Sequence, residues 1–158
     1  MSIKSSVEPW IDAPLKKFVE DAGVALALLL HPSGQVLAQY GFSRAVDIMS
    51  ACALAAAINV SARELGRQLE GKPFAGLHHA GKARELYLAE VQTTRGKYIF
   101  LTVFDESSSL GLVRMYFDEF RTNLAAAAPP PSTDAAPVIN EHFERELNRN
   151  LAALFGRA

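Results

Sequence analysis

The sequence has few cysteines, no marked excess of charge of either sign and no long apolar run. It contains one cysteine, Cys52, in 158 residues, so no disulfide can form within the chain. Its 16 Lys and Arg nearly balance its 17 Asp and Glu, which does not mark a nucleic-acid-binding protein. The apolar run at residues 24 to 30 is far shorter than the roughly 20 residues that span a bilayer. The polar N-terminus, with Glu8, Pro9 and Asp12, does not resemble a secretory signal, so we predict a cytoplasmic protein without membrane insertion.

No motif for catalysis, metal binding or cofactor binding stands out. His78 and His79 are adjacent, and neighbours on a strand point to opposite faces, so they could not share a metal ion. Cys52 lies in an apolar helical segment without an adjacent base, which favours packing over nucleophilic chemistry. Serines 107 to 109 lack the glycines and lysine of a phosphate loop, and helix capping is their expected role. We therefore predict no catalytic, cofactor-binding or metal-binding residue.

The pattern of apolar residues predicts a small α/β domain. Helices are expected at residues 9–22, 45–69 and 109–126, and strands at 24–30, 35–40, 74–79, 84–92 and 97–105. Pro14 favours a late start for the first helix, because a helix interior excludes proline. Residues 24–30 and 98–104 are apolar on both alternating faces, so they are expected in the middle of the sheet.

The long predicted helix is nearly apolar around its whole circumference over residues 45 to 58. A helix on one face of a sheet needs only one apolar stripe, so a second contact is expected. The helix could be sandwiched inside a larger core or shared between two subunits. The few remaining elements favour a homodimer. The predicted contact residues are Met49, Ala53, Ala56 and Ala57.

The chain is expected to continue beyond the domain into a tethered helix. We predict a disordered N-terminus at residues 1–8, a domain at 9–126, a Pro/Ala-rich linker at 127–137 and an amphipathic helix at 138–156. The tail helix could dock on its own domain, dock in a partner's groove or stay disordered, while its mixed charges argue against a membrane surface. The predicted partner-binding residues are Phe143, Leu147, Leu151, Leu154 and Phe155.

Three segments resemble a known superfamily. They are residues 28 to 38, the alanine-rich helix that starts at Ala45, and residues 103 to 114, where a strand passes through a serine turn into a helix. Together they resemble the Roadblock/dynein light chain 7 superfamily over about residues 10 to 126, and the last segment resembles its MglB-like branch. The resemblance implies a five-stranded antiparallel sheet between the long helix on one face and the N- and C-terminal helices on the other. It also implies a dimer formed by the long helix and the following strand.

The resemblance further implies a homodimeric regulator of a bacterial Ras-like small GTPase. Such a regulator would act as a GTPase-activating protein in cell polarity, motility or type IV pilus control. The alternative is a scaffold that binds a GTPase or another regulator without stimulating hydrolysis. MglB-like proteins are thought to rearrange the GTPase's own residues, so no catalytic residue is assigned; Arg63, Arg67 and Arg114 are the arginines that test this view.

Overall fold

The computed structural model of the protein describes residues 5–6, 8–41, 47–131, 145–146 and 148–154. Within these ranges the domain consists of three helices and one antiparallel sheet. The elements, in chain order, are β1 (Ser5–Ser6), α1 (Pro9–Ala22), β2 (Leu26–Leu30), β3 (Val36–Gly41), α2 (Ile48–Glu70), β4 (Leu77–Ala80), β5 (Glu85–Thr93), β6 (Gly96–Phe104) and α3 (Leu110–Ala127).

The two most apolar strands form the middle of the sheet. The strand order is β1-β3-β2-β6-β5-β4, and β2 pairs with β6 from Leu26 opposite Val103 to Leu30 opposite Ile99. Every residue of β2 is buried, which confirms the central position predicted from its two-sided apolar pattern. The two residues of β1 pair with β3 and add a short strand at one edge, which the sequence did not predict.

The helices cover the sheet in two layers, and the predicted fold class is confirmed. On one face, α1 and α3 enclose an aromatic core, in which Phe18 meets Phe100 edge to face with ring centroids 4.9 Å apart. On the other face, α2 lies on leucines of β2 and β5, including Leu28 and Leu88. Because successive side chains of a strand point to opposite faces, β2, β5 and β6 contribute side chains to both cores.

The predicted late start of α1 is wrong. The helix begins at Pro9, where a missing N–H breaks no helical bond, and it continues through Pro14. Pro14 cannot donate to the carbonyl of Trp10, but its ring is buried with the rest of the apolar side of α1. Packing against the core therefore outweighs the local cost of proline.

Candidate functional site

The long helix α2 packs closely on the sheet through small residues. Its buried side consists of Cys52, Ala55, Ala56, Asn59 and Gly66. At its C-terminal end, a Cβ built on Gly66 would lie 2.7 Å from the backbone nitrogen of Phe74, so only glycine allows the following loop to approach this closely. The helix ends at Gly71, whose φ of 76° suits glycine.

A polar contact with β5 fixes the rotation of α2 about its axis. Glu90 accepts a hydrogen bond from Nδ2 of Asn59 at 2.9 Å and pairs with Nε of Arg63 at 3.2 Å through the same oxygen, Oε1. Its other oxygen lies 3.4 Å from Nζ of Lys97. Because Asn59 is buried and Glu90 is largely covered, these bonds hold one defined side of the helix toward the sheet.

Two apolar strips remain exposed on the sides of α2. One strip, here called the β4-side flank, has large side chains: Leu54, Ile58, Leu65 and Leu69. The other, the hairpin-side flank, has smaller ones between its ends: Met49, Ala53, Ala57 and Val60. Spacings of three, four, seven and eight residues keep each strip on one side of the helix. Exposed Ser50, Ser61 and Gln68 lie between the two strips.

The β4-side flank faces an open edge of the sheet. Ala62, four residues after Ile58 and seven before Leu69, lines a small cavity with Phe74 and Leu77 at the start of β4. Among the described residues, β4 pairs with β5 on one side and with no strand on the other. An apolar helix flank and an unpaired strand edge thus lie side by side, and both are features that bind another chain.

The hairpin-side flank borders the turn between β2 and β3. A Cβ built on Gly34, whose φ is 96°, would lie 3.4 Å from Cα of Ala53. This turn therefore approaches the backbone of α2 on the side away from β4. The two flanks have different neighbours, so they are separate surfaces.

Comparison with known proteins identifies this arrangement. No family model and no curated protein matches the chain. Three similar solved structures are MglB of Myxococcus xanthus (24% identity, TM-score 0.67, covering 77% of this chain and 96% of that one), the gliding protein MglB of Thermus thermophilus (24%, 0.66, 75% and 88%) and a Roadblock/LC7 domain of Streptomyces avermitilis (14%, 0.62, 77% and 97%).

The chain has the Roadblock/LC7 fold. This confirms the superfamily resemblance at the level of the fold, since identities below 25% carry no more than that. The matched share of the chain is close to the length of the domain from α1 to α3, and the tail adds to it.

The structure places the four predicted contact residues on two sides of the Roadblock helix. Met49, Ala53 and Ala57 are exposed on the hairpin-side flank, and Met49 is 82% exposed. Ala56 is only 7% exposed and packs in the core beneath α2. Leu54 and Ile58 of the β4-side flank lie in the apolar stretch that the sequence analysis singled out, whereas Leu65 and Leu69 were not proposed because the charged residues that begin at Arg63 conceal an apolar spacing that continues to Leu69.

The exposed apolar sides of α2 also raise the question of a membrane. By length and composition alone, α2 could cross one. A single helix of this kind is weak evidence for a membrane span. Arg63 is paired with Glu90 on β5, and Cys52 is buried on the sheet, so one side of α2 packs on the domain.

His78, Cys52 and Ser109 have structural roles. His78 contacts Glu85, with Nε2 to Oε1 at 2.8 Å, while His79 lies on the opposite face of β4. Cys52 is fully buried, and burial raises the pKa of its thiol, which leaves it a poor nucleophile. Ser109 caps α3 by accepting a hydrogen bond from the backbone N–H of Leu112 at 3.2 Å, as predicted.

Side-chain hydrogen bonds also hold the loop before α3. Oδ1 of Asp105 accepts a hydrogen bond from the backbone N–H of Ser107 at 2.9 Å, and this bond holds the pKa of Asp105 below its usual value. The hydroxyl of Ser108 donates to the carbonyl of Ala22 at the end of α1. These bonds account for the serine turn without a ligand.

The tail leaves the domain beside the turn between β5 and β6. Oγ1 of Thr94 donates to the carbonyl of Pro129 at 2.8 Å. Residues 145–146 and 148–154 are helical, and Leu151 and Leu154 are exposed, the latter by 77%. The other predicted tail residues, Phe143, Leu147 and Phe155, lie outside the described residues.

Proposed function

We propose that the protein is a homodimeric regulator that binds a Ras-like small GTPase and accelerates its GTP hydrolysis. One observation carries the proposal: in a Roadblock fold, the apolar β4-side flank of α2 lies beside the unpaired edge of β4. Two of the similar structures are named MglB, one of them as a gliding protein, and this supports a role in polarity, motility or pilus control in the cytoplasm.

In the proposed dimer, two copies join through the same surface. A twofold axis would place one β4 edge against the other and bring the two β4-side flanks together. Pairing of the edges would satisfy backbone groups that are otherwise open to solvent, and the leucines would be withdrawn from water. This interface differs from the one predicted from the sequence, since Met49, Ala53 and Ala57 lie on the other flank and Ala56 lies in the core.

The activation mechanism we propose uses no catalytic residue from this chain. Hydrolysis of GTP is limited by positioning of water and stabilisation of charge, which a regulator supplies with an arginine or by rearranging the GTPase. Arg63 is paired with Glu90, which supports rearrangement. Arg67 and Arg114 are exposed and are the arginines through which the alternative can be tested.

The tail would add affinity for the GTPase. We propose that residues 127–137 act as a linker and that 138–156 form a helix whose apolar side contacts the partner. The exposure of Leu151 and Leu154 supports this, because exposed leucines on one helical side are available for docking. The proposed contact residues remain Phe143, Leu147, Leu151, Leu154 and Phe155.

Single-turnover GTP hydrolysis by a Ras-like GTPase encoded beside this gene tests the function, with binding measured in parallel. We expect faster hydrolysis with this protein present, and unchanged acceleration with Arg67→Ala or Arg114→Ala. Loss of acceleration without loss of binding in either variant would contradict the rearrangement mechanism. Binding without acceleration would instead establish a scaffold.

A further inference from the structure

We propose that the C-terminal helix packs on the hairpin-side flank of α2 in the same chain. The proposed dimer covers the β4-side flank and leaves Met49, Ala53, Ala57 and Val60 exposed. The tail carries a second exposed apolar side. With the β4-side flank covered in the dimer, the hairpin-side flank and the apolar side of the tail are left, and each is a suitable partner for the other.

The two surfaces are complementary in size. On α2, the small side chains of Ala53 and Ala57 lie between the larger ones of Met49 and Val60, so another helix could approach most closely at the two alanines. On the tail, Leu151 and Leu154 are three residues apart and form a ridge. Ridges of one helix pack into grooves of another at interaxial distances of about 8–10 Å, and alanines permit the shorter distances.

The position where the tail leaves the domain also favours this flank. The turn between β5 and β6 lies beyond Thr93, which pairs with Gly96, and the turn between β2 and β3 follows Leu30, which pairs with Ile99. Both turns are therefore at the same end of the sheet. The tail starts beside the first turn through the bond from Thr94 to Pro129, and the hairpin-side flank borders the second.

The connecting segment is long enough to reach α2. From Pro131 to Arg145 the chain has 14 residue steps, which at about 3.3–3.6 Å per residue span at most about 50 Å. Because α3 and α2 lie on opposite faces of the sheet, the tail must pass around the end of the sheet, and two packed layers of about 10 Å each are well within this reach. Docking in the same chain also benefits from the high effective concentration of a tethered segment.

Such docking would control access to the partner. Leu151 and Leu154 are among the residues proposed to contact the GTPase, and they cannot pack on α2 and on the GTPase at the same time. The tail would then exchange between two positions, and GTPase binding would release it from α2. This consequence rests on the proposed GTPase binding, whereas the docking itself rests only on the proposed dimer, which leaves the hairpin-side flank exposed.

Paramagnetic relaxation in the full-length protein tests the docking. A nitroxide on Ala153→Cys would lie on the side of the tail away from its leucines, and buried Cys52 would stay unlabelled. We expect loss of amide signal intensity at Ala53, Ala57 and Val60. Unchanged intensity at these three residues would overturn the proposal.

Two variants of the labelled protein separate packing from loss of helix. Leu151→Ser with Leu154→Ser should restore the α2 signals, while Arg145→Ser with Arg149→Ser, on the opposite side of the tail helix, should leave the broadening in place. Restoration by the arginine variant would contradict apolar docking.

The same label shows which subunit's tail lies on α2 and whether the GTPase displaces it. In a mixture of labelled and isotope-enriched copies, broadening in the enriched copy would place the tail on the second subunit and overturn docking within one chain. The GTP-bound GTPase should reverse the broadening. Broadening that persists although the GTPase binds would contradict the exchange, and a GTPase that does not bind would contradict the proposed function while leaving the docking intact.

Discussion

Replacement of Leu65 by serine should weaken the proposed dimer without unfolding the subunit. Leu65 is 51% exposed in the single chain, so roughly half of its side chain remains to be buried. Full burial of a leucine contributes about 1.5–3 kcal/mol, and the remaining half therefore about 0.8–1.5 kcal/mol. A twofold interface contains the residue twice, which gives about 1.5–3 kcal/mol, or a dissociation constant about 10 to 150 times higher.

Sedimentation equilibrium over a range of protein concentrations measures this shift. Met49→Ser is the matched control, because Met49 is an exposed apolar residue of the same helix on the hairpin-side flank. We expect the dissociation constant of the control to stay within about threefold of the wild type, which corresponds to well under 1 kcal/mol. If Met49→Ser dissociates the dimer and Leu65→Ser does not, the interface lies on the hairpin-side flank and the reasoning from the β4 edge is refuted.

Three further predictions concern the scaffold beneath the helix. Glu90→Ala should lower the free energy of unfolding in urea by about 1–3 kcal/mol, since a buried amide loses its acceptor; an unchanged midpoint would show that the contact does not stabilise α2. Gly66→Ala should lower the free energy of unfolding by more than about 1 kcal/mol, because its Cβ would meet backbone atoms. Gly111→Ala is the control: its Cβ would lie 3.9 Å from the nearest neighbour, so the change should be neutral or stabilising by up to about 1 kcal/mol. Equal effects of the two changes would contradict the steric argument. The lowered pKa of Asp105 means that its carboxylate stabilises the fold above the unfolded-state pKa of about 4 and that this contribution is lost as the pH falls through the folded-state pKa. Asp105→Asn should therefore reduce the loss of stability between pH 5 and acid, and an identical pH profile would argue against it.

Much of the fold could be predicted because its signals are local. The run at residues 24 to 30 is apolar at every position and the run at 98 to 104 at every position but Thr102, a pattern typical of a strand covered on both faces. Ser109 could be predicted as a cap from its place between a turn and an apolar helix. The late start of α1 predicted from Pro14 was wrong, because the cost of proline is local while the packing that offsets it comes from residues distant in sequence.

The candidate interface was less predictable because it depends on rotation of one helix. The sequence shows that α2 is apolar around its circumference but not which side faces the sheet. That choice is made by Glu90, which is remote in sequence and binds Asn59 and Arg63. Once the buried side is fixed, Ala56 belongs to the core and Leu65 to the exposed flank. The two-residue strand Ser5–Ser6 was missed because such a short polar segment has no periodicity to read.

The pairing of β2 with β6 has a consequence for how the chain is made. Leu26 and its partner Val103 are separated by most of the domain in sequence, so the centre of the sheet closes only after β6 has been synthesised. Long-range strand pairing of this kind is slow compared with local hairpin or helix formation. Before β6 has been synthesised, the leucine run of β2 and the apolar sides of α2 have no complete sheet to cover them. A nascent chain in that state is prone to aggregate. We therefore expect soluble yield in cells to depend on chaperones that bind the first hundred residues during translation.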